Sequence, residues 1–166
     1  MKNCNLETKK GVVNIKKFVL IVLLSVLSFG NVNSVKAATQ VGATGTQNFS
    51  YSVFSCTSNT KLYIHTNTNL SRVMWAYGET KCNPKNQNEL FPLNKLVIST
   101  SVYKNDILQN LPRVTENINK NSIWVDSYQT PYSGGAYWRG QSSVTLEDAG
   151  YASRTYTTRT IDTRLN

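Results

Sequence analysis

From Phe49 onward the chain alternates apolar and polar residues in short runs, broken by clusters of Asn, Gly, Pro and Ser. A period of two is the mark of strands with one face in a core. Phe49, Tyr51 and Val53 fall on one face, opposite Ser50 and Ser52; Leu62 and Ile64 oppose Tyr63 and His65. Leu70–Tyr77 is apolar on both faces, with Val73, Trp75 and Tyr77 against Leu70, Met74 and Ala76, which predicts a central strand. Leu96, Ile98, Thr100 and Val102 alternate with Val97, Ser99, Ser101 and Tyr103. Further strands are expected at Ile123–Tyr128 and Ala136–Arg139, with Ser142–Leu146 continuing the pairing. Glu147-Asp148-Ala149-Gly150 reads as a turn, so Gln141–Leu146 and Tyr151–Leu165 form a last hairpin.

Helical signal is thin. Asp106–Leu111 fits one capped turn stopped by Pro112, and Val114 and Ile118 stand four apart in an Asn-rich context. Residues 38–47, ATQVGATGTQ, are small and polar without a period and read as a flexible arm. The pattern predicts an all-β fold, a single antiparallel β-sandwich or barrel over residues 48–166.

Residues 1–37 follow another rule. A Lys-rich stretch precedes the uncharged run Phe18–Gly30, and a polar segment then ends in Val35-Lys36-Ala37-Ala38. This is the layout of a secretory signal peptide, with cleavage expected between Ala37 and Ala38. A retained membrane anchor is the alternative, but those residues rise only about 20 Å as a helix against a hydrocarbon core of about 30 Å. The long basic leader resembles those of Gram-positive bacteria. The expected location is therefore extracellular, with a membrane met only through the leader during export.

The leader changes what the charge means. The chain carries 18 Lys and Arg against 9 Asp and Glu. Six of those Lys and one Glu lie in the leader, which leaves the mature part at a formal +4. Basicity without a run or stripe makes no case for nucleic acid. Arg154, Arg159 and Arg164 recur every five residues, so on one continuous strand Arg154 and Arg164 would share a face and Arg159 the other. The segment reads as a solvated edge strand.

Cys4 leaves with the leader, and Cys56 and Cys82 remain. In an oxidising compartment this even pair is expected to form a disulfide rather than two free thiols. Its closed loop is worth roughly 3–4 kcal/mol on chain entropy.

No catalytic constellation is legible. His65 is the single imidazole and reads as a half-exposed strand residue. The acids are scattered, so an enzyme is not expected, although a glycosidase would show a carboxylate pair converging in a cleft. Without a Gly-rich phosphate loop or metal-ligand spacing, no cofactor and no metal are expected.

Binding has better candidates. If Ile123 and Val125 face the core, then Trp124, Asp126 and Tyr128 share the other face, as rings and an acceptor suited to a sugar; the alternative is that a second layer covers them. Pro131–Gln141 gathers Tyr132, Tyr137, Trp138 and Arg139 about a Gly-Gly turn, where amphipathic rings suit an interface and a cross-strand core pair explains them too. The aromatic, Ser-, Thr- and Asn-rich composition resembles that of secreted bacterial β-domains that bind wall polymers or glycans. The expectation is a non-catalytic binding module for cell-surface glycan or anionic wall polymer; the alternative is a bacteriocin-like effector or small toxin.

Overall fold

The computed structural model describes residues 37–86 and 92–166. Apart from Ala37, the expected leader lies outside the described residues. The chain forms eleven strands among those described and no helix. In order they are β1 (Thr39–Tyr51), β2 (Phe54–Thr66), β3 (Arg72–Pro84), β4 (Lys95–Lys104), β5 (Ile107–Leu108) and β6 (Arg113–Ile118), followed by β7 (Ser122–Asp126), β8 (Thr130–Pro131), β9 (Ala136–Asp148), β10 (Tyr151–Arg159) and β11 (Thr163–Leu165).

They make two antiparallel sheets. One runs β1-β2-β3-β7, with β8 also beside β3; the other runs β10-β9-β4-β5, with β11 also beside β9 and β6 beside β4. Among the described residues no ladder joins the two sheets, so the architecture is a sandwich rather than a barrel. Side chains close its long sides instead. Phe49 of β1 stacks on Tyr156 of β10 with centroids 3.8 Å apart, and Asn117 Nδ2 of β6 donates to the Ser122 carbonyl of β7 at 2.8 Å.

The alternation settles which side chains enter. Leu96, Ile98, Thr100 and Val102 are buried, as expected of β4, and so are Ile123 and Val125 of β7. The core is two apolar clusters, one around Phe54, Leu93, Leu96, Ile98 and Leu146, the other around Leu62, Met74, Val102 and Trp138. A waist of buried hydroxyls lies between the sheets: Ser58, Thr60, Thr80, Thr100, Ser142, Thr158 and Thr160. Each is satisfied. Thr80 donates to Ser58 at 3.0 Å, Thr100 and Ser142 pair at 3.1 Å, Thr60 donates to the Thr158 carbonyl at 3.2 Å, and Thr160 Oγ1 accepts the Gly140 N–H at 3.0 Å. Pairing is what makes hydroxyl burial tolerable. The sheets come so close here that a Cβ on Gly78 would collide with the side chains of Ser142 and Thr100.

Four local expectations change. Residues 39–47, expected as part of a flexible arm, are the first half of β1: Thr39 to Val41 pair with Ile64 to Leu62, and pairing resumes after a bulge at Gly45. Backbone hydrogen bonds order this segment without apolar alternation, which is why no period betrayed it. The expected helical turn at Asp106–Leu111 is a tight reversal into β5, made by Asn105 and Asp106 at φ 49° and 64°. Asn and Asp tolerate this left-handed conformation, which no helix contains. Leu70 is not in the central strand but at the tip of the turn before it, at φ 64° and 78% exposed. Finally, Tyr151–Leu165 is not one strand. It breaks at 160–162 into β10 and β11, and the break resets the phase. Arg159 pairs with Gln141 and Arg164 with Tyr137, on the outer face, whereas Arg154 pairs with core-facing Leu146. Arg159 and Arg164 therefore share a face, and Arg154 does not.

Candidate ligand-binding face

The outer face of the five-stranded sheet sets four aromatic side chains, Tyr63, Trp75, Tyr77 and Trp124, in a row. β2 and β3 are long and bulge-free in their mutual pairing, so direct partners sit side by side on one face. Their register sets Tyr63 beside Trp75, Lys61 beside Tyr77 and Asn59 beside Glu79. β7 adds Asp126 beside Tyr77 and Trp124 beside Glu79. Tyr63 and Trp75 stack with centroids 5.6 Å apart and planes at 20°; Tyr77 and Trp124 stack at 6.2 Å and 27°. These are offset ring geometries, and of the four rings Trp124 is the exposed one.

Polar groups lace the row together. The Tyr77 hydroxyl donates to Glu79 Oε2 at 2.9 Å, Asn59 Nδ2 donates to Glu79 Oε1 at 3.1 Å, and Thr46 donates to Asn59 Oδ1 at 2.9 Å. Lys61 Nζ lies 5.8 Å from the centre of the Tyr77 ring. Burial and then the Glu79 carboxylate push the Tyr77 phenol up to about 12, so it stays a donor across the physiological range. Glu79 is thereby held with its oxygens aimed along the face.

Trp124 is 62% exposed and stands as a ridge between two depressions. One, of about 420 Å³, lies on the sheet face against Asn59, Glu79 and Lys81. The other, of about 460 Å³, opens between β6 and β7 and is lined by Arg113, Thr115, Asn117, Lys120 and Asp126 with Trp124. On the inner face of the same two strands, further along the ladder than the Asn59–Glu79 pair, Cys56 and Cys82 are cross-strand partners, bridged as a disulfide with Cα atoms 4.0 Å apart.

Of the residues expected at a site, Trp124 and Asp126 are together, Asp126 half-buried and Trp124 exposed. Tyr128 is also exposed, at 54%, but lies past the end of β7 with the Arg113 guanidinium 5.9 Å from its ring centre.

The second group does not assemble. Trp138 is wholly buried in the core, its indole N–H donating to the Ser133 carbonyl at 3.2 Å. The inward phase of β9 runs without interruption from Leu146 back through Val144, Ser142 and Gly140 to Trp138 and Ala136. Tyr132 is half-buried against Trp138, its hydroxyl donating to the Asn166 carbonyl at 2.8 Å. Tyr137 is exposed on the other sheet.

Arg139 is not free to take an anion. It bonds Asp106 at 2.6 Å and Asp162 at 3.4 Å while its guanidinium covers the Tyr103 ring at 4.8 Å. This is also where an acid pair converges beside a cleft, lined by Asn105, Asp106, Tyr137 and Asp162. The guanidinium ties both carboxylates to the fold, as a strut between the β4–β5 turn and the β10–β11 break.

Tyr63, Trp75 and Tyr77 are the site residues that sequence reasoning missed. Their alternation was legible, but a strand apolar on both faces points equally to a covered sheet. His65 sits on the same face, opposite Val73. Among the described residues no three His, Cys, Asp or Glu side chains gather as a metal site, and no helix is long and apolar enough to cross a membrane. No protein family, curated protein or solved structure matches this chain.

Proposed function

We propose that this is a secreted, non-catalytic binding module that takes a cell-surface glycan or anionic wall polymer on the outer face of its five-stranded sheet. The observation that carries the reading is the exposed Trp124 continuing the ring of Tyr77, with Glu79, Asn59, Lys61 and Asp126 beside them. Sugar rings present C–H faces that pack on aromatic faces, and hydroxyls that need acceptors and donors at the rim. Rings held by stacking and by cross-strand register lose little freedom on binding, which favours affinity from a shallow surface. A buried disulfide supports the extracellular part of the reading, because such bonds persist in oxidising compartments.

Cosedimentation of residues 38–166 with purified bacterial cell walls tests it. Wild type is expected in the pellet and Trp124→Ala in the supernatant, with thermal unfolding of the two alike. Wild type remaining in the supernatant would falsify the reading, and so would a Trp124→Ala variant that still pellets fully. Dye leakage from vesicles at micromolar protein would instead favour a toxin.

A further inference from the structure

We infer that the cleft between β6 and β7 is a subsite for the anionic group, carboxylate or phosphate, of an acidic saccharide unit whose ring stacks on Trp124. This rests on the glycan-binding reading and narrows it to charged polymers.

The cleft joins two sheets at their edges, and its width is set by the bond from Asn117 Nδ2 to the Ser122 carbonyl, 2.8 Å. At about 460 Å³ it falls within the range of small-molecule sites, roughly 300–1,000 Å³. Two cations line it, Arg113 and Lys120. Lys95, by contrast, is paired with Glu116 at 3.1 Å, and Arg139 is held by two aspartates. Among the described residues, Arg113 and Lys120 form no ion pair. The guanidinium of Arg113 is steadied over Tyr128 instead, which leaves its N–H edge for a ligand.

Asp126 is the one acid in the cleft, half-buried and on the same strand face as Trp124. It suits a hydroxyl, whereas the two cations suit an anion. A ring, an acceptor and two cationic donors at one opening match a sugar unit that carries both hydroxyls and a negative group. A neutral sugar would crowd water from Arg113 and Lys120 without replacing it, which selects against neutral chains.

The test uses mature protein and three chains of matched length: a neutral β-glucan oligomer, an oligouronate and the same β-glucan oligomer phosphorylated on its 6-hydroxyls. Binding is followed by calorimetry in low salt. At least one anionic chain is expected to bind about tenfold more tightly than the neutral one, since hydrogen bonds to charged groups exceed those to neutral ones. Preference for the oligouronate identifies a carboxylate subsite; preference for the phosphorylated glucan identifies a phosphate subsite. Arg113→Gln with Lys120→Gln should erase the preference, bringing the anionic chains down to the affinity of the neutral one, with the melting temperature unchanged. Trp124→Ala should weaken all three chains.

Equal binding of neutral and anionic chains by wild type overturns the subsite and leaves the glycan reading standing. An anionic preference that survives the double substitution also overturns it. If wild type binds none of the three, the glycan reading falls with it.

Discussion

The two outer faces of this sandwich use one rule of alternation for opposite purposes. On the five-stranded sheet the outward positions of β2, β3 and β7 hold Tyr63, Trp75, Tyr77 and Trp124. On the six-stranded sheet the middle outward positions of β4, β9 and β10 hold short hydroxyl side chains, with Tyr103 and Tyr137 confined to one end. Ser143 pairs with Thr157 at 3.0 Å and Thr145 with Thr155 at 2.8 Å, and Ser99 donates to the Ser143 carbonyl at 3.5 Å. Hydroxyls that satisfy one another across a ladder stabilise a sheet and offer little to a ligand. Rings flanked by Glu79 and Asp126, with Trp124 the exposed one, do the reverse. The lesson is that exposed composition, read per strand, separates a wall from a binding face.

The faces differ in bracing too, and this predicts the largest effect. The disulfide lies in β2 and β3 alone, the two strands that carry most of the aromatic row, beyond its Glu79 end. Cys56→Ala with Cys82→Ala should lower stability by roughly 3–4 kcal/mol in urea unfolding, because the bridge closes a long loop in the unfolded chain. Hydrogen exchange should show β2 and β3 opening more than β9. A loss shared equally by both sheets would mean that the brace serves the sandwich as a whole and not the aromatic face.

Next in size is the waist that holds the faces apart. Gly78 of β3 meets Thr100 and Ser142 of the opposite sheet with no room for a methyl group. Gly78→Ala should cost about 1–3 kcal/mol by overpacking. Wall binding by the fraction still folded should be unchanged, since Gly78 points away from the row. An alanine variant as stable as wild type would show that the sheets can part at the waist.

On the surface itself, Trp124→Ala should weaken wall binding by at least about tenfold, near 1.4 kcal/mol, with little change in stability because the ring is exposed. Thr145→Ala and Thr157→Ala on the opposite face should do the opposite, costing less than about 1 kcal/mol of stability each and nothing in binding. Retention on a cell-wall column, read beside melting temperature, separates the two. A hydroxyl variant that loses binding would erase the division of labour between the faces.

Much of this contrast was legible in the chain before the fold. The inward phase of β4, the outward Trp124 and the Cys56–Cys82 pair all follow from alternation and cysteine parity. What alternation lacks is register. Nothing in residues 61–65 says that Tyr63 will lie beside Trp75, or that Trp124 will extend the row past Tyr77. Without that, Trp75 and Tyr77 signal a buried strand as readily as an exposed platform. Trp138 was recoverable, by counting back in twos from Leu146 through Gly140. The turn at Gly134-Gly135 drew attention to its neighbour Tyr137 and hid that phase. Arg139 was opaque for another reason: its partners Asp106 and Asp162 are far away in sequence, and one stands in a turn whose left-handed residues leave no periodic trace.

The smallest effect probes whether the row is one electrostatic unit. Burial and Glu79 hold the Tyr77 phenol up to about 12, against 10.0 for an unperturbed tyrosine. The folded protein therefore keeps that proton over a range in which the unfolded chain has lost it. This contribution to stability is intact below about pH 10 and is lost as pH rises toward 12. Tyrosinate quenches a stacked indole, so the part of the emission that disappears in Trp124→Phe should fall only as Tyr77 ionises. Glu79→Gln removes the negative partner, so the Trp124 transition should move to lower pH. If the Trp124 transition stays where it is in Glu79→Gln, burial alone raises Tyr77, and Glu79 is free to serve a ligand instead of its neighbour.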